Sequence, residues 1–241
     1  MLVRVGIEND NDDRSIGWAL EHPGCFAYGA DAAGAQAAMH QAVCDYADWI
    51  GRHEPSWLPG QDFEIRVEES FASYFVDAGF ELTGRGPNTY MVESFFRHDW
   101  KPLTALDVER ARKLLAWSRA DLLDTVAGLS ATALDASYPG ERWSINGILR
   151  HIGGAEWWYQ ERIGLPFPER EQDVPNDPFE RLDVVRAHFL QVLPGLAGLS
   201  KVIGLDGEIW SPRKVLRRAL WHERDHTQHI RKLLDGGAHA A

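Results

Sequence analysis

The pattern of apolar residues changes near residue 100, and this change divides the chain into two structural regions. Before it, short apolar runs with a period of two, such as LVRVGIE, indicate strands. After Pro102, apolar residues recur at intervals of three and four nearly throughout, which is typical of helices that bury one face. We therefore predict an α+β domain at residues 1–99 and an all-α domain at residues 100–241.

The amino-terminal region is predicted to form a small antiparallel sheet with one helix. Three strand-like runs, LVRVGIE, SIGWALE and CFAYG, come first, and the turn-forming segment NDNDDR joins the first two as a hairpin. A helix from about Asp31 to Arg52 follows, for which Asp31 is a suitable N-cap. Two further strand-like stretches are DFEIRVEES and NTYMVESFF. The order β-β-β-α-β-β predicts a sheet that packs on its single helix.

The segment WALEHPGCFAYG, which an Ala-rich helix follows, resembles the HicB antitoxins and their relatives. The resemblance is carried by Pro23, Gly24, Cys25, Tyr28 and Gly29. It implies a HicB-like α+β fold and a role in binding a protein. Antitoxins of this family usually add a DNA-binding domain, and neither a helix-turn-helix nor a ribbon-helix-helix pattern follows here, so repression is not implied.

All of the excess acid of the chain lies in residues 1–99. They carry six arginines, no lysine and 17 acidic residues, a net charge of −11, whereas residues 100–241 carry 19 basic and 19 acidic residues. Because such a charge repels phosphate backbones, we expect no nucleic-acid binding. The acidic surface suits either a basic protein partner or solubility alone.

The remaining composition points to a cytoplasmic protein. Cys25 and Cys44 do not make a disulfide framework, and we expect two reduced thiols. The first residues lack the pattern of an export signal, and no apolar run is long enough to span a membrane. The oligomeric state is left open.

Four helices are predicted in the carboxy-terminal region. They cover about Thr104 to Ala127, Ser144 to Ile163, Pro178 to Leu196 and Ser211 to Gly236. The long segment PFPEREQDVPNDP separates the second helix from the third and can carry the chain from one end of a bundle to the other. Four helices with one long connection indicate a four-helix bundle.

The strongest chemical signal is the motif WHERDHTQH in the last predicted helix. The buried stripe of this helix consists of Val215, Ala219, Ile230 and Leu233. His222 and His226 fall near the centre of that stripe, and their spacing of four puts both imidazoles on one side of the helix. They can therefore bind one metal ion together. The alternative is a pair of core histidines, each with its own hydrogen-bond partner.

A third ligand must come from another helix. His151, beside Gly153 and Gly154 in the second helix, is the first candidate, and His188 in the third helix is the rival. The single-sequence pattern does not decide between them.

The motifs HIGGAEWWYQERIG and LWHERDHTQHI resemble the second and fourth helices of the DinB-like superfamily, which includes the YfiT-type proteins. Its members are four-helix bundles that hold a metal on one histidine of the second helix and a His-x-x-x-His pair of the fourth. The resemblance implies His151, His222 and His226 as metal ligands, with Gln228 as a partner of the ligands. Some members are thiol-dependent transferases or isomerases, and some hydrolyse amides.

Three neutral histidines leave coordination positions for water, as in catalytic metal sites. Zn²⁺ and Ni²⁺ suit imidazole best, and Mn²⁺, Fe²⁺ and Co²⁺ are alternatives. The first hypothesis is a metal-dependent enzyme that activates a small thiol or water for transfer or hydrolysis. Glu156 is its candidate general acid or base, and an ordinary surface or interhelical carboxylate is the alternative interpretation of that residue.

The competing hypothesis is a non-enzymatic interaction protein. In it the metal only stabilises the bundle, and the acidic amino-terminal domain binds a protein partner. The two hypotheses differ in whether solvent reaches the metal. A cleft lined by Trp157, Trp158 or Trp221 would favour the enzyme.

Overall fold

The computed structural model describes residues 1–55, 57 and 62–237, which form two compact units. One unit contains Met1–Lys101 together with Val202–Lys214, and the other contains Pro102–Lys201 and the residues from Val215 on. The sequence predicts a single boundary near residue 100, and the structure differs from this prediction in one segment. Residues 202–214 lie in the carboxy-terminal half of the sequence but belong to the first unit.

The first unit is built on a four-stranded sheet with one helix against it. Its elements are β1 (Leu2–Asn11), β2 (Arg14–Ala19), β3 (Phe26–Gly29), α1 (Ala32–His53) and β4 (Glu64–Ala72). The strand order is β3-β2-β1-β4, with β1–β2 and β2–β3 antiparallel and β1–β4 parallel. The predicted first hairpin is therefore confirmed. The predicted all-antiparallel sheet is wrong at its edge, because the crossover through α1 returns β4 parallel to β1.

Helix α1 begins and packs as the sequence indicates. The Asp31 side chain accepts a hydrogen bond from the Gly34 amide at 2.8 Å, which confirms the predicted N-cap. The apolar face of the helix is buried against the sheet. Gly29 ends β3 where the first turn of α1 approaches, and a Cβ there would lie 2.0 Å from the Ala35 nitrogen. Only glycine therefore permits this close approach.

The first unit also holds short strands. They are β5 (Tyr74–Val76), β6 (Leu82–Thr83), β7 (Tyr90–Val92), β8 (Ile203–Leu205) and β9 (Glu208–Trp210). Of these, only β7 lies in a stretch that the sequence predicts as a strand, NTYMVESFF. Strands β5, β6 and β7 form a second, antiparallel sheet, and β8 and β9 form a hairpin. Tyr90 donates a hydrogen bond to Glu208, and Lys214 Nζ donates to the Glu93 carbonyl at 3.3 Å. These bonds tie residues 202–214 to the first unit.

The second unit is mostly helical. Its elements are α2 (Ala105–Val126), the short α3 (Ala131–Leu134), α4 (Ile145–Glu161), α5 (Pro178–Val192) and the part of α6 (Pro212–Gly237) from Val215 on. Thr104 and Asp107 form a capping box at α2, and Ser144 caps α4, so both helices begin where the sequence predicts. Helix α5 ends earlier than predicted, because residues 193–196 form a 3₁₀ turn.

The core of the second unit draws on all five helices. Its buried members are Leu122, Val126, Leu134, Ile145, Ile148, Leu149, Ile152, Leu182 and Ile230. The apolar stripes that the helical spacing predicts for α2 and α4 therefore face a common interior. In the described residues, no helix is long and apolar enough to cross a membrane.

Candidate metal centre

Helix α6 places two histidines on the face that it buries. His222 is buried and His226 is half-buried, and their ring centroids lie 4.5 Å apart. Val215, Ala219 and Ile230, on the same helix, are buried as the stripe requires. The spacing of four residues therefore brings the two imidazoles together on the inner face.

Helix α4 supplies a third histidine to this pair. The Nε2 atom of His151 lies 3.0 Å from the Nε2 atom of His222, and its ring centroid lies 5.1 Å from that of His226. One ligand nitrogen from each of the three residues falls within 4.8 Å of the others. Two nitrogens on one tetrahedral Zn²⁺ are about 3.3 Å apart, which follows from Zn–N bonds of about 2.0 to 2.1 Å. Small side-chain shifts would bring all three onto one ion.

The protonation state of the three histidines suits metal binding. Burial, with a smaller effect from His151 and His229, lowers the pKa of His226 to about 3. Burial also lowers the pKa of His222 well below its usual value, with added effects from His226, His151 and Arg218, and it lowers the pKa of His151. The imidazoles are therefore neutral near pH 7 and offer free lone pairs.

One nitrogen of the cluster also lacks a protein partner. His226 Nδ1 is buried and has no hydrogen-bond partner among the described residues. A buried polar atom without a partner costs free energy, and an ion would relieve that cost for this cluster. The residues present therefore fit a divalent ion.

Aromatic rings enclose the histidine cluster. The Trp143 ring lies 4.5 Å from that of His151, and the rings of Tyr159 and Trp221 lie 6.0 and 5.7 Å from that of His222. Such rings limit the orientations open to the imidazoles.

An open cavity of about 560 Å³ reaches the cluster. His151 and His222 are part of its wall, and Trp158, Tyr159 and Trp221 supply aromatic surface. This volume lies within the range of small-molecule binding sites. Of the three tryptophans proposed from the sequence, Trp158 and Trp221 line the cavity, whereas Trp157 donates its indole hydrogen to the Pro168 carbonyl at 2.8 Å.

Comparison with known families bears on this part of the chain. Residues 114–230 match the family model described as the DinB superfamily. The carboxy-terminal region is DinB-like. Metal binding is common in the superfamily, and the matched range contains all three histidines of the cluster. Comparisons with curated proteins and with solved structures gave no match.

Two residues singled out in the sequence, and one further histidine of the motif WHERDHTQH, lie outside the histidine cluster of this DinB-like region. His188, the rival third ligand, stacks on Phe167 with ring centroids 4.9 Å apart. Gln228 is exposed to solvent, which does not support a role in orienting a ligand. His229 lies 3.0 Å from a carboxylate oxygen of Glu141.

Glu156 lies in a buried charge network rather than in the cavity wall. Its Oε1 accepts from Arg186 Nε at 2.6 Å, and its Oε2 accepts from Arg119 Nη2 at 3.1 Å. Only 3% of the residue is exposed. Because both oxygens are engaged by guanidinium groups, the geometry favours the interhelical carboxylate over a general acid or base.

The network contains one further carboxylate and joins the four long helices of the DinB-like region. Glu223 of α6 accepts from Arg119 Nε of α2 at 2.7 Å and from Arg186 Nη2 of α5 at 3.0 Å. Burial acts to raise the pKa of Glu223, but Arg186 and Arg119 outweigh it and hold that pKa below its usual value. With Glu156 of α4, the network has two positive and two negative charges and is neutral.

A sequence signal for this network exists. Arg119 lies four residues after the buried Leu115 and three before Leu122, and Arg186 lies four after Leu182 and three before Phe189. Charges at such stripe positions must pair when they are buried. Two arginines and two glutamates at inner positions of four helices therefore predict an interhelical network, although not which residues pair.

Proposed function

We propose that the DinB-like region binds one divalent metal ion on His151, His222 and His226 and that the protein is a metal-dependent enzyme. The observation that carries the proposal is a cluster of three neutral histidines, two of which lie in the wall of an open cavity. A metal that only stabilised the fold would gain nothing from such a cavity. We therefore favour catalysis over a purely structural metal.

Three imidazole ligands suit the metals that prefer nitrogen. Zn²⁺ and Ni²⁺ are the first candidates, and Mn²⁺, Fe²⁺ and Co²⁺ are alternatives. Three protein ligands leave at least one coordination position open, as in catalytic zinc sites. His222 and His151, which line the cavity, place that position within reach of a small molecule.

The proposed reaction is transfer or hydrolysis with a small thiol or water as nucleophile. A divalent ion would lower the pKa of a thiol or water bound to it and so supply a nucleophile near neutral pH. The protein holds the three imidazoles neutral and surrounds them with aromatic walls. Glu171 is the one carboxylate among the described residues that line the cavity, and it is exposed. Among the described lining residues, no buried carboxylate is therefore available as a general base.

The proposal extends to the fold of each region. We propose that α2, α4, α5 and α6 form a four-helix bundle of the DinB type, which the shared core and the interhelical charge network support. For the first unit we propose a HicB-like fold. It is supported by the helix α1 packed on the sheet and by the Gly29 contact with the first turn of α1.

Titration of thiols into cobalt-loaded protein tests the proposed chemistry. We expect visible absorption from Co²⁺ on three imidazoles, and a new sulfur-to-cobalt charge-transfer band when a small thiol such as 2-mercaptoethanol enters the open position. A His151→Ala variant should lose the cobalt spectrum, and a His188→Ala variant should keep it. If no thiol perturbs the spectrum and His151→Ala still binds cobalt normally, both the site and the chemistry are wrong.

The acidic first region is proposed to bind a protein rather than nucleic acid. Its net charge of −11 over residues 1–99 repels a phosphate backbone at physiological salt. We expect the full-length protein to leave duplex DNA unshifted in a mobility assay at protein concentrations of about 10 µM. Proteins that bind DNA non-specifically have dissociation constants between roughly 1 and 100 µM. A salt-sensitive shift at lower protein concentration would contradict this expectation.

A further inference from the structure

The cavity beside the histidine cluster carries an excess of positive charge. Arg150, Arg181 and Arg218 line it, against Glu171 as the one carboxylate among its described lining residues. The histidines are neutral, so they do not change this balance. A divalent ion on them would increase the excess further.

Among the residues that the structure describes, two of these guanidinium groups form no ion pair with a carboxylate. Arg181 donates to the carbonyl oxygens of Pro175 at 2.6 Å and of Arg150 at 3.5 Å, and neither acceptor carries a charge. Arg150 Nε is buried and has no hydrogen-bond partner among the residues that the structure describes. Burial and the nearby Arg150 lower the pKa of Arg181, and Glu171 only partly offsets them. Like charges therefore lie close together, and Glu171 compensates them only in part.

Gly153 of α4 explains how Arg181 reaches the cavity from α5. A Cβ on Gly153 would lie 2.7 Å from Arg181 Cγ, and a Cβ on Gly154 would lie 3.4 Å from Arg181 Nη1. Each glycine in a helix interior costs about 1 kcal/mol relative to alanine. Gly153 is accounted for by the Arg181 side chain that crosses over it, whereas a Cβ on Gly154 would make only an ordinary van der Waals contact.

Aromatic surface lies beside these cations. Trp158, Tyr159 and Trp221 line the same cavity, and the Arg218 guanidinium lies 4.1 Å from the centre of the Trp221 ring. Such a wall accommodates a planar or apolar body, whereas guanidinium groups bind the planar or tetrahedral oxygens of an anion.

We propose that the cavity binds a small organic oxyanion, with a carboxylate or phosphate on Arg150 and Arg181 and an apolar or aromatic body against the tryptophans. This proposal names the substrate class of the proposed enzyme and rests on the proposed function, because the bound anion is a substrate only if the protein is an enzyme. The anion is held at the arginines, and the rest of the molecule extends toward His151 and His222. The chemistry of the cavity thereby selects against neutral and cationic substrates.

Calorimetric titration with charge-matched probes tests the proposal. Benzoate and phenyl phosphate should bind measurably to the protein, and benzamide, which has the same ring without the charge, should bind at least about tenfold more weakly, because hydrogen bonds to charged groups are the stronger ones. The benzoate and phenyl phosphate arms show whether a carboxylate or a phosphate is preferred. If neither anion binds more tightly than benzamide, the proposal is overturned.

Variants of Arg181 and Gly153 test whether the anion binds at the arginine that crosses α4. Arg181→Gln should weaken binding of the preferred anion by about tenfold or more, and Arg112→Gln, an exposed arginine of α2 outside this cavity, should not. Gly153→Ala should weaken it as well, because its methyl group displaces the Arg181 side chain, while circular dichroism shows an intact helix content. Unchanged anion binding in Arg181→Gln would contradict the proposal.

Repeating the titration on chelator-treated protein separates this proposal from the proposed function. The preference for anions should persist without metal, because the arginines do not depend on the ion. Failure of metal binding with an intact anion preference would reject the enzyme and keep the anion site. Metal binding without any anion preference would reject the anion site alone.

Discussion

Replacement of His222 by alanine is expected to reduce the metal content of desalted protein from about one divalent ion per chain to almost none. His222 is the most buried member of the cluster, and its Nε2 lies 3.0 Å from that of His151. Loss of only a hydrogen-bond partner of a ligand costs about 10- to 100-fold in metal affinity, so the loss of a ligand should cost more. Elemental analysis and competition with a chelator measure the effect.

His188→Ala is the matched control for that variant. His188 also lies in the DinB-like region, but it stacks on Phe167 and takes no part in the cluster. Its replacement should leave the metal content unchanged. Equal metal content in His222→Ala and the unaltered protein would rule out the assigned ligands.

Replacement of Arg186 by methionine is expected to lower the free energy of unfolding of the second unit by about 3 to 5 kcal/mol. Arg186 is buried and bonds to both Glu156 and Glu223, so its loss leaves two buried carboxylates with Arg119 alone. The favourable contact with two carboxylates holds the pKa of the Arg186 guanidinium above its usual value, although burial opposes this. Urea denaturation of metal-free protein, followed by circular dichroism, measures the loss.

Two further variants show that the effect comes from the buried network. Arg170→Met removes an ion pair with Asp173 that is largely exposed, and it should cost less than about 1 kcal/mol. The double variant Glu156→Gln with Arg186→Met should be less destabilised than Arg186→Met alone, because one unpaired charge is removed as well. A loss below about 1 kcal/mol for Arg186→Met would show that the network contributes little.

The helices and their caps could be predicted from the sequence because their signals are local. Asp31, Thr104 and Ser144 are N-cap residues in the structure, and each directly precedes an apolar periodic run. The histidine pair of α6 could also be predicted, since spacing on a single helix is fixed by 3.6 residues per turn. The third histidine was accessible through the resemblance to the DinB-like superfamily rather than through spacing.

Features that depend on contacts between distant segments could not be predicted in the same way. The parallel pairing of β4 with β1 depends on a crossover, and the membership of residues 202–214 in the first unit depends on bonds such as Lys214 to Glu93. The pairing of Glu156 with Arg119 and Arg186 likewise needs the relative positions of three helices. The sequence of a helix with a glutamate near a histidine is the same whether the carboxylate faces a cavity or an arginine of another helix.

The role of the glycine pair shows the same limit. In the sequence, Gly153 and Gly154 indicate a close approach of two helices. Helix α4 does pack on α5. The structure shows in addition that the Arg181 side chain occupies the space that a Cβ would fill. Nothing in a single sequence connects a glycine to an arginine 28 positions later.

Anomalous diffraction from crystals grown with Zn²⁺ tests the central claim most directly. Data recorded on both sides of the zinc absorption edge locate the ion without reference to the protein geometry. We expect one strong peak per chain, about 2.0 to 2.1 Å from one ring nitrogen of each of His151, His222 and His226, with the cavity open on its remaining side. A zinc peak held by other residues, with none between these three histidines, would contradict the account.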